Sequence, residues 1–161
     1  MIAIWALKYF ELRGKGAIAD DKIVWSRMLL QLISDQKDEL VFPAIAVAEY
    51  LVPFEPKDHG VQISKLQSLF FCPSFDIRAA SIAADLLRRY RKLPADEQVV
   101  KRMQLKADIQ IIATAKVAGA QRFYSHDNGC RKIASLVMKA EDLPTTTGKF
   151  HLDQDIRDGT L

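Results

Sequence analysis

At 161 residues, 49% hydrophobic and 27% charged, the chain has the apolar content to bury one sizeable core, so a single globular domain is expected. A net charge of +3 is too small to imply a nucleic-acid partner by itself. The two cysteines, Cys72 and Cys130, lack CxxC or Cys/His spacing, which argues against a zinc site or a disulfide framework and for a reduced, cytoplasmic setting.

The apolar start, Met1 to Leu7, is too short to span a bilayer and is soon followed by Lys8, Glu11, Arg13 and Lys15. It lacks the basic beginning and small-residue cleavage pattern of a signal peptide, so it reads as part of the fold, with no membrane partner. Residues 2–13 read as a helix ended by Gly14-Lys-Gly16, and a second helix is expected over 20–35, its apolar stripe built from Ile23, Trp25, Met28, Leu29, Leu32 and Ile33. Glu39 to Phe42 reads as a short buried strand, after which Pro43 opens a helix ended by Pro53 and Pro56. A helix over 58–69 precedes an apolar strand, Phe70 to Phe75, and a helix over 77–92 follows with the basic run Arg88-Arg-Tyr-Arg-Lys92 at its end. Pro94 to Glu97 starts a helical stretch bent or broken near Leu105, which continues to Gly119. A strand over 121–125, a turn at Asp127 and a helix over 130–139 complete the domain; 145–150 reads as an edge strand and 152–161 as a polar tail. The expected organisation is one domain over 1–143, with 144–161 as edge strand or tail.

Three acids fall in apolar surroundings. Glu49 is the only charged residue between Val41 and Phe54, and Asp108 shares a helix face with Leu105, Ile111, Ile112 and Ala115. Asp127 follows the 121–125 strand and opens a glycine-containing turn. An isolated carboxylate on a core-facing surface costs several kcal/mol unless it is neutralised, paired or bound to a cation. Taken singly, Glu49 also reads as a helix acid reaching solvent, Asp108 as an acid in the first turn of a helix restarting near Leu105, and Asp127 as a turn residue or N-cap. The metal reading rests on their combination. Short strands alternating with helices predict an α/β domain with a largely parallel sheet, whose ligands bind at the carboxyl ends of the strands. All three acids are expected at that end.

With these residues in view, the sequence resembles the PIN domain, the fold of many metal-dependent ribonucleases, including the toxins of bacterial toxin–antitoxin pairs. The matching elements are Ala46-Val-Ala-Glu49-Tyr-Leu, Lys106-Ala-Asp108-Ile-Gln-Ile-Ile-Ala-Thr-Ala115, Ala118-Gly-Ala120 and Phe123-Tyr-Ser125-His-Asp127. The resemblance covers roughly residues 1–143 and implies a three-layer α/β/α domain with a central, mainly parallel sheet. It further implies an endoribonuclease acting on single-stranded RNA with Mg²⁺ or Mn²⁺, with Glu49, Asp108 and Asp127 as metal ligands and Ser125 orienting a carboxylate or a water. An antitoxin protein and a homodimer are the partners it brings. The family's first strand ends in Asp-x-Asn, whose aspartate is a metal ligand; this chain lacks it, so the chain as given is expected to bind metal more weakly and to cleave slowly or not at all. In one alignment Met1 to Trp5 is that strand, with Trp5 in place of the aspartate; in the other, preferred here, the strand lies upstream of Met1 and Met1-Ile2 already belongs to the next helix.

The chemistry is coherent: hard divalent cations favour carboxylate oxygen and can neutralise a phosphodiester while activating water. The basic run 88–92 reads as a solvated helix end stabilised by the dipole, with Tyr90 available for base stacking only if the run meets RNA. Two rival readings stand beside the nuclease: a catalytically impaired module of the same type that binds RNA or protein, and a flavodoxin-like binding domain. The second is disfavoured because no phosphate-binding loop follows any strand.

Overall fold

The computed structural model describes residues 39–94 and 102–142. The helices expected over 2–13 and 20–35, the helical start expected after Pro94, the edge strand over 145–150 and the polar tail lie outside these residues. Among the described residues the protein is mixed α/β, with five helices and a two-stranded parallel sheet. In chain order they are α1 (Ala44–Leu51), a 3₁₀ turn (Pro56–Asp58), α2 (His59–Leu69), α3 (Ile77–Tyr90), α4 (Arg102–Val117), β1 (Arg122–Tyr124), α5 (Asn128–Ala134) and β2 (Lys139–Glu141).

The strands expected over 39–42 and 70–75 reduce to one parallel bridge, Val41 with Phe71. Phe42 N–H donates to Phe71 O at 2.8 Å and Phe71 N–H to Leu40 O at 2.7 Å, and Ala44 N–H reaches Pro73 O at 3.0 Å. The next bond of a parallel ladder would come from residue 73 to Phe42 O. Proline has no N–H to give, so the ladder stops there.

Helix α4 is the centre of the molecule: α1, α3 and α5 all pack against it. Its residues Ile111 to Ala115 are buried on every side, as a helix covered by neighbours all round must be. Leu86 of α3, Ile112 of α4 and Ile133 of α5 are fully buried in this core. Burial of each such side chain contributes about 1.5–3 kcal/mol. The break expected near Leu105 is absent; α4 runs through that residue without interruption, which corrects the expectation. Neither glycine nor proline interrupts residues 102–117, so nothing local forces a bend.

The helix ends where a residue with positive φ is needed. Gly119 has φ +90°, and the Ala120 N–H reaches back to Ala115 O at 3.0 Å while the Gly119 N–H bonds Lys116 O at 3.1 Å. This is a Schellman closure, and it delivers the chain directly into β1.

β1 and β2 pair in parallel, Phe123 opposite Ala140, with α5 as the crossover between them. The last helix thus begins at Asn128 rather than 130 and ends at Ala134, so 139 opens a strand instead of closing a helix. The sequence Lys139-Ala-Glu141 has neither β-branched nor aromatic residues, which is why it reads as helix in isolation.

Two aspartates start helices by the same device. Asp76 accepts the Ala79 N–H ahead of α3, and Asp127 accepts the Cys130 N–H ahead of α5, both at 2.8 Å. No helix among the described residues is long and apolar enough to cross a membrane.

Candidate functional site

The three acids ride on elements that meet at α4. Asp108 belongs to α4, Glu49 to α1, which packs on α4, and Asp127 caps α5, which packs on α4 from another direction. Their settings differ sharply. Asp108 is 4% exposed, Asp127 is half-buried and Glu49 is exposed. Only Asp108 faces the core; Glu49 reaches solvent and Asp127 is a helix N-cap, as the two residues also read singly. Glu49 sits near the end of α1, where the buried residues are Ala46 and Tyr50, one helical turn apart; position 49 falls off that stripe.

Asp108 lies in the body of α4, not near its start, so the helix dipole does not account for it. Burial, then the charge of Asp127, then that of Glu49 push its carboxyl from 3.8 up to about 6. The Cys130 thiol offsets part of this by hydrogen bonding to it. Its Oδ2 is nonetheless buried with no hydrogen-bond partner, the one such side-chain atom among the described residues. A buried acceptor left unmatched costs about 1–3 kcal/mol.

Asp127 is the opposite case. Its Oδ1 accepts the Cys130 N–H at 2.8 Å, and its Oδ2 accepts Gln104 Nε2 at 3.3 Å. Its own N–H donates to Ser125 Oγ at 3.1 Å. Ser125 is 1% exposed, so its hydroxyl orients the Asp127 backbone from inside the protein. Placed at the carboxyl end of β1, Ser125 and Asp127 occupy the edge where parallel sheets bind ligands.

Cys130 and Gln104 are the site residues that sequence reasoning missed. Burial, reinforced by the Asp108 and Asp127 charges, drives the Cys130 thiol far above its ordinary range. It is a neutral donor and not a nucleophile. The available signal was positional, since Cys130 stands at the third residue of a helix capped by Asp127. Gln104 lies one turn before Asp108 on the same helix, but its partner is 23 residues away and invisible to local patterns.

Two other expectations are resolved by burial and pairing. Tyr90 is 3% exposed and cannot stack on a base, which removes the aromatic part of an RNA track at 88–92. Arg88 and Arg89 both pair with Asp85, at 2.7 and 2.6 Å, as a solvated helix end would. His126 is exposed beside the site and its Nδ1 lies 3.1 Å from Asp142 Oδ1.

As the side chains stand, no three His, Cys, Asp or Glu residues among those described are close enough together to enclose a cation. The donor chemistry still fits a hard cation. Asp108 offers a buried oxygen with no partner, and two further carboxylates are near enough to raise its affinity for a proton. A positive charge would relieve the same repulsion that the proton relieves. No protein-family model, curated protein or solved structure matches this chain.

Proposed function

We propose that this chain is a PIN-type endoribonuclease that hydrolyses single-stranded RNA with Mg²⁺ or Mn²⁺. The single observation behind the reading is Asp108, a buried carboxylate with an unpartnered oxygen held against the charges of Asp127 and Glu49. Stability alone does not favour such an arrangement, and a buried acid perturbed by neighbouring charges is a mark of functional sites. Asp108, Asp127 and Glu49 would hold the cation, which when bound supplies charge neutralisation at the phosphoryl group and an activated water. The chain's own part is positional. The Cys130 N–H and Gln104 orient the Asp127 carboxylate, Ser125 fixes the turn beneath it, and burial among the elements packed on α4 keeps Asp108 from solvent.

A second reading is an RNA- or protein-binding module of the same type that does not cut. One observation favours it: the described acids do not close on a common point, and Asp127 is engaged by its cap. Cleavage of a labelled single-stranded RNA separates the two. With only three of the family's four acids, the wild-type chain should cut slowly at most; that cleavage should need Mn²⁺ and stop with EDTA, and Asp108→Asn should lose most of it. Equal cleavage by both proteins, each free of contaminating nuclease, would refute the carboxylate site. RNA retention without cleavage would select the binding module.

A further inference from the structure

The turn that carries Asp127 is tied to the end of the neighbouring strand by a pair of residues outside the carboxylate set. Arg131 Nη1 donates to Ser125 O at 2.7 Å and lies 3.0 Å from Asp142 Oδ2. The other oxygen of Asp142 meets His126 Nδ1 at 3.1 Å. The Ser125 N–H bonds Glu141 O at 3.1 Å, which extends the β1–β2 pairing one step past β1. Both residues preceding Asp127 are therefore anchored to the carboxyl end of β2, one through its backbone and one through its ring. The anchor closes on itself, because Arg131 stands four residues after Asp127, one turn into the helix that Asp127 caps.

We propose that Arg131 and Asp142 are positioning residues for Asp127: the guanidinium and carboxylate lock the Ser125–Asp127 turn against β2 and so fix where the Asp127 carboxylate points. The lock has the geometry such a role needs. A guanidinium is a rigid fork that can serve a carbonyl and a carboxylate together, and an ammonium on a flexible stem holds them less firmly. Arg131 is 21% exposed on its side chain, so its contacts are partly shielded from solvent competition. Asp142 meets Arg131 with one oxygen and His126 with the other, and neither contact lies within a helix or strand ladder. The strand pairing holds only the Ser125 N–H; the Ser125 carbonyl and the His126 ring are held by this pair. Helix α5 is only seven residues long, and its entry is defined by the turn that the pair holds. The consequence for cation binding rests on the ribonuclease reading; the positioning itself does not.

The test uses the full chain and two separate readouts. The first is amide hydrogen exchange by NMR, without metal, at Cys130 and Asp127, whose N–H groups report the cap and the Ser125 contact. The second is Mn²⁺ affinity by titration calorimetry. In Arg131→Gln and Asp142→Asn, exchange at these two amides should quicken about tenfold while the amide of Leu86 in α3 is unchanged. Mn²⁺ should bind about tenfold more weakly, the range for residues that orient metal ligands. Arg131→Lys should fall between wild type and Arg131→Gln in both readouts, a graded rescue that general loss of stability would not produce. Wild-type exchange at both amides in Arg131→Gln and Asp142→Asn would overturn the proposal, whatever the metal does. Should Arg131→Gln fail to fold, Asp142→Asn decides alone, since Asp142 is nearly half exposed. Quickened amides in a wild-type background that takes up no Mn²⁺ would uphold the positioning role and sink the ribonuclease reading. Mn²⁺ uptake that Asp127→Asn abolishes, with unaltered amides in the Arg131 and Asp142 variants, would do the reverse.

Discussion

Asp127 engages each of its oxygens with a neighbour, the Cys130 N–H and the Gln104 amide, whereas Asp108, on the helix against which α5 packs, is buried with Oδ2 unmatched. The residue type is the same and the thermodynamic sign is opposite. An N-cap aspartate stabilises the helix it starts, by about 1 kcal/mol against alanine. A buried carboxylate facing two like charges destabilises the fold whenever it is ionised. A purely structural account covers Asp127 and fails for Asp108. The difference shows which of the two acids the fold leaves without a partner, and on the ribonuclease reading proposed above a cation would supply it.

The sharpest way to break this comparison is to remove the charge of Asp108 and watch stability. Its carboxyl is raised from 3.8 to about 6, so the folded state favours the protonated form. Well below pH 3.8 the group is neutral in both folded and unfolded chains and costs nothing. As pH rises from 3.8 to about 6 the unfolded chain ionises it while the folded state still holds the proton, so about 3 kcal/mol of stability is lost across that window, and the loss is complete above it. Asp108→Asn should therefore be more stable than wild type at pH 8 by about 2–3 kcal/mol, and the two should converge near pH 4. Urea unfolding at both pH values checks this. Saturating Mn²⁺ should narrow the gap at pH 8 by stabilising the wild type alone. A variant less stable than wild type at pH 8 would show that Asp108 is matched in solution.

Asp108 was legible in the sequence because its surroundings are local: Leu105, Ile111, Ile112 and Ala115 share its helix face and are all buried. The extents of α2 and α3 were legible for the same reason, read as 58–69 and 77–92 against His59–Leu69 and Ile77–Tyr90. Glu49 was misplaced because an apolar segment only eight helical residues long does not say which narrow stripe is covered; Ala46 and Tyr50 take that place, with the Tyr50 hydroxyl bonded to Gln62 of α2. The strand over 70–75 carried its own warning in Pro73, whose missing N–H ends the ladder. β2 gave no warning. Its strand state comes from pairing with β1 across the α5 crossover, a long-range fact that Lys139-Ala-Glu141 does not encode locally. The contact of Asp127 with Gln104 and that of His126 with Asp142 are likewise between residues distant along the chain, 23 and 16 positions apart.

A smaller effect separates the two jobs of Asp127. Asparagine caps helices about as well as aspartate, so Asp127→Asn should keep the Cys130 contact and the start of α5. It also removes the charge that acts most strongly on Asp108 after burial itself. Asp127→Asn should thus be as stable as wild type at pH 8 or slightly more so. Asp127→Ala loses the cap and the Gln104 contact and should be less stable than Asp127→Asn by about 1 kcal/mol. Thermal unfolding of the two variants at pH 8 measures the difference. Equal stability would mean that the cap contributes nothing to α5, and the contrast between the two aspartates would collapse.

The smallest effect belongs to Glu49, and its use lies in its dependence on Asp108. Glu49 is exposed and its charge stands last among those raising the Asp108 carboxyl. Glu49→Gln alone should change stability at pH 8 by no more than about 0.5 kcal/mol, as surface substitutions do. The sign should be stabilising, because a charge that opposes ionisation of Asp108 has gone. In an Asp108→Asn background the same substitution should do nothing, since no charge is left for Glu49 to repel. A double-mutant cycle isolates that coupling from any effect of Glu49 on α1 itself. Titration of the Asp108 side-chain carboxyl by NMR gives the same answer independently: its midpoint should fall in Glu49→Gln, and fall further in Asp127→Asn. If Glu49→Gln leaves that midpoint where it was, the two acids do not share a field, Glu49 drops out of the candidate ligand set, and a cation at Asp108 would have to be held with Asp127 alone among the three.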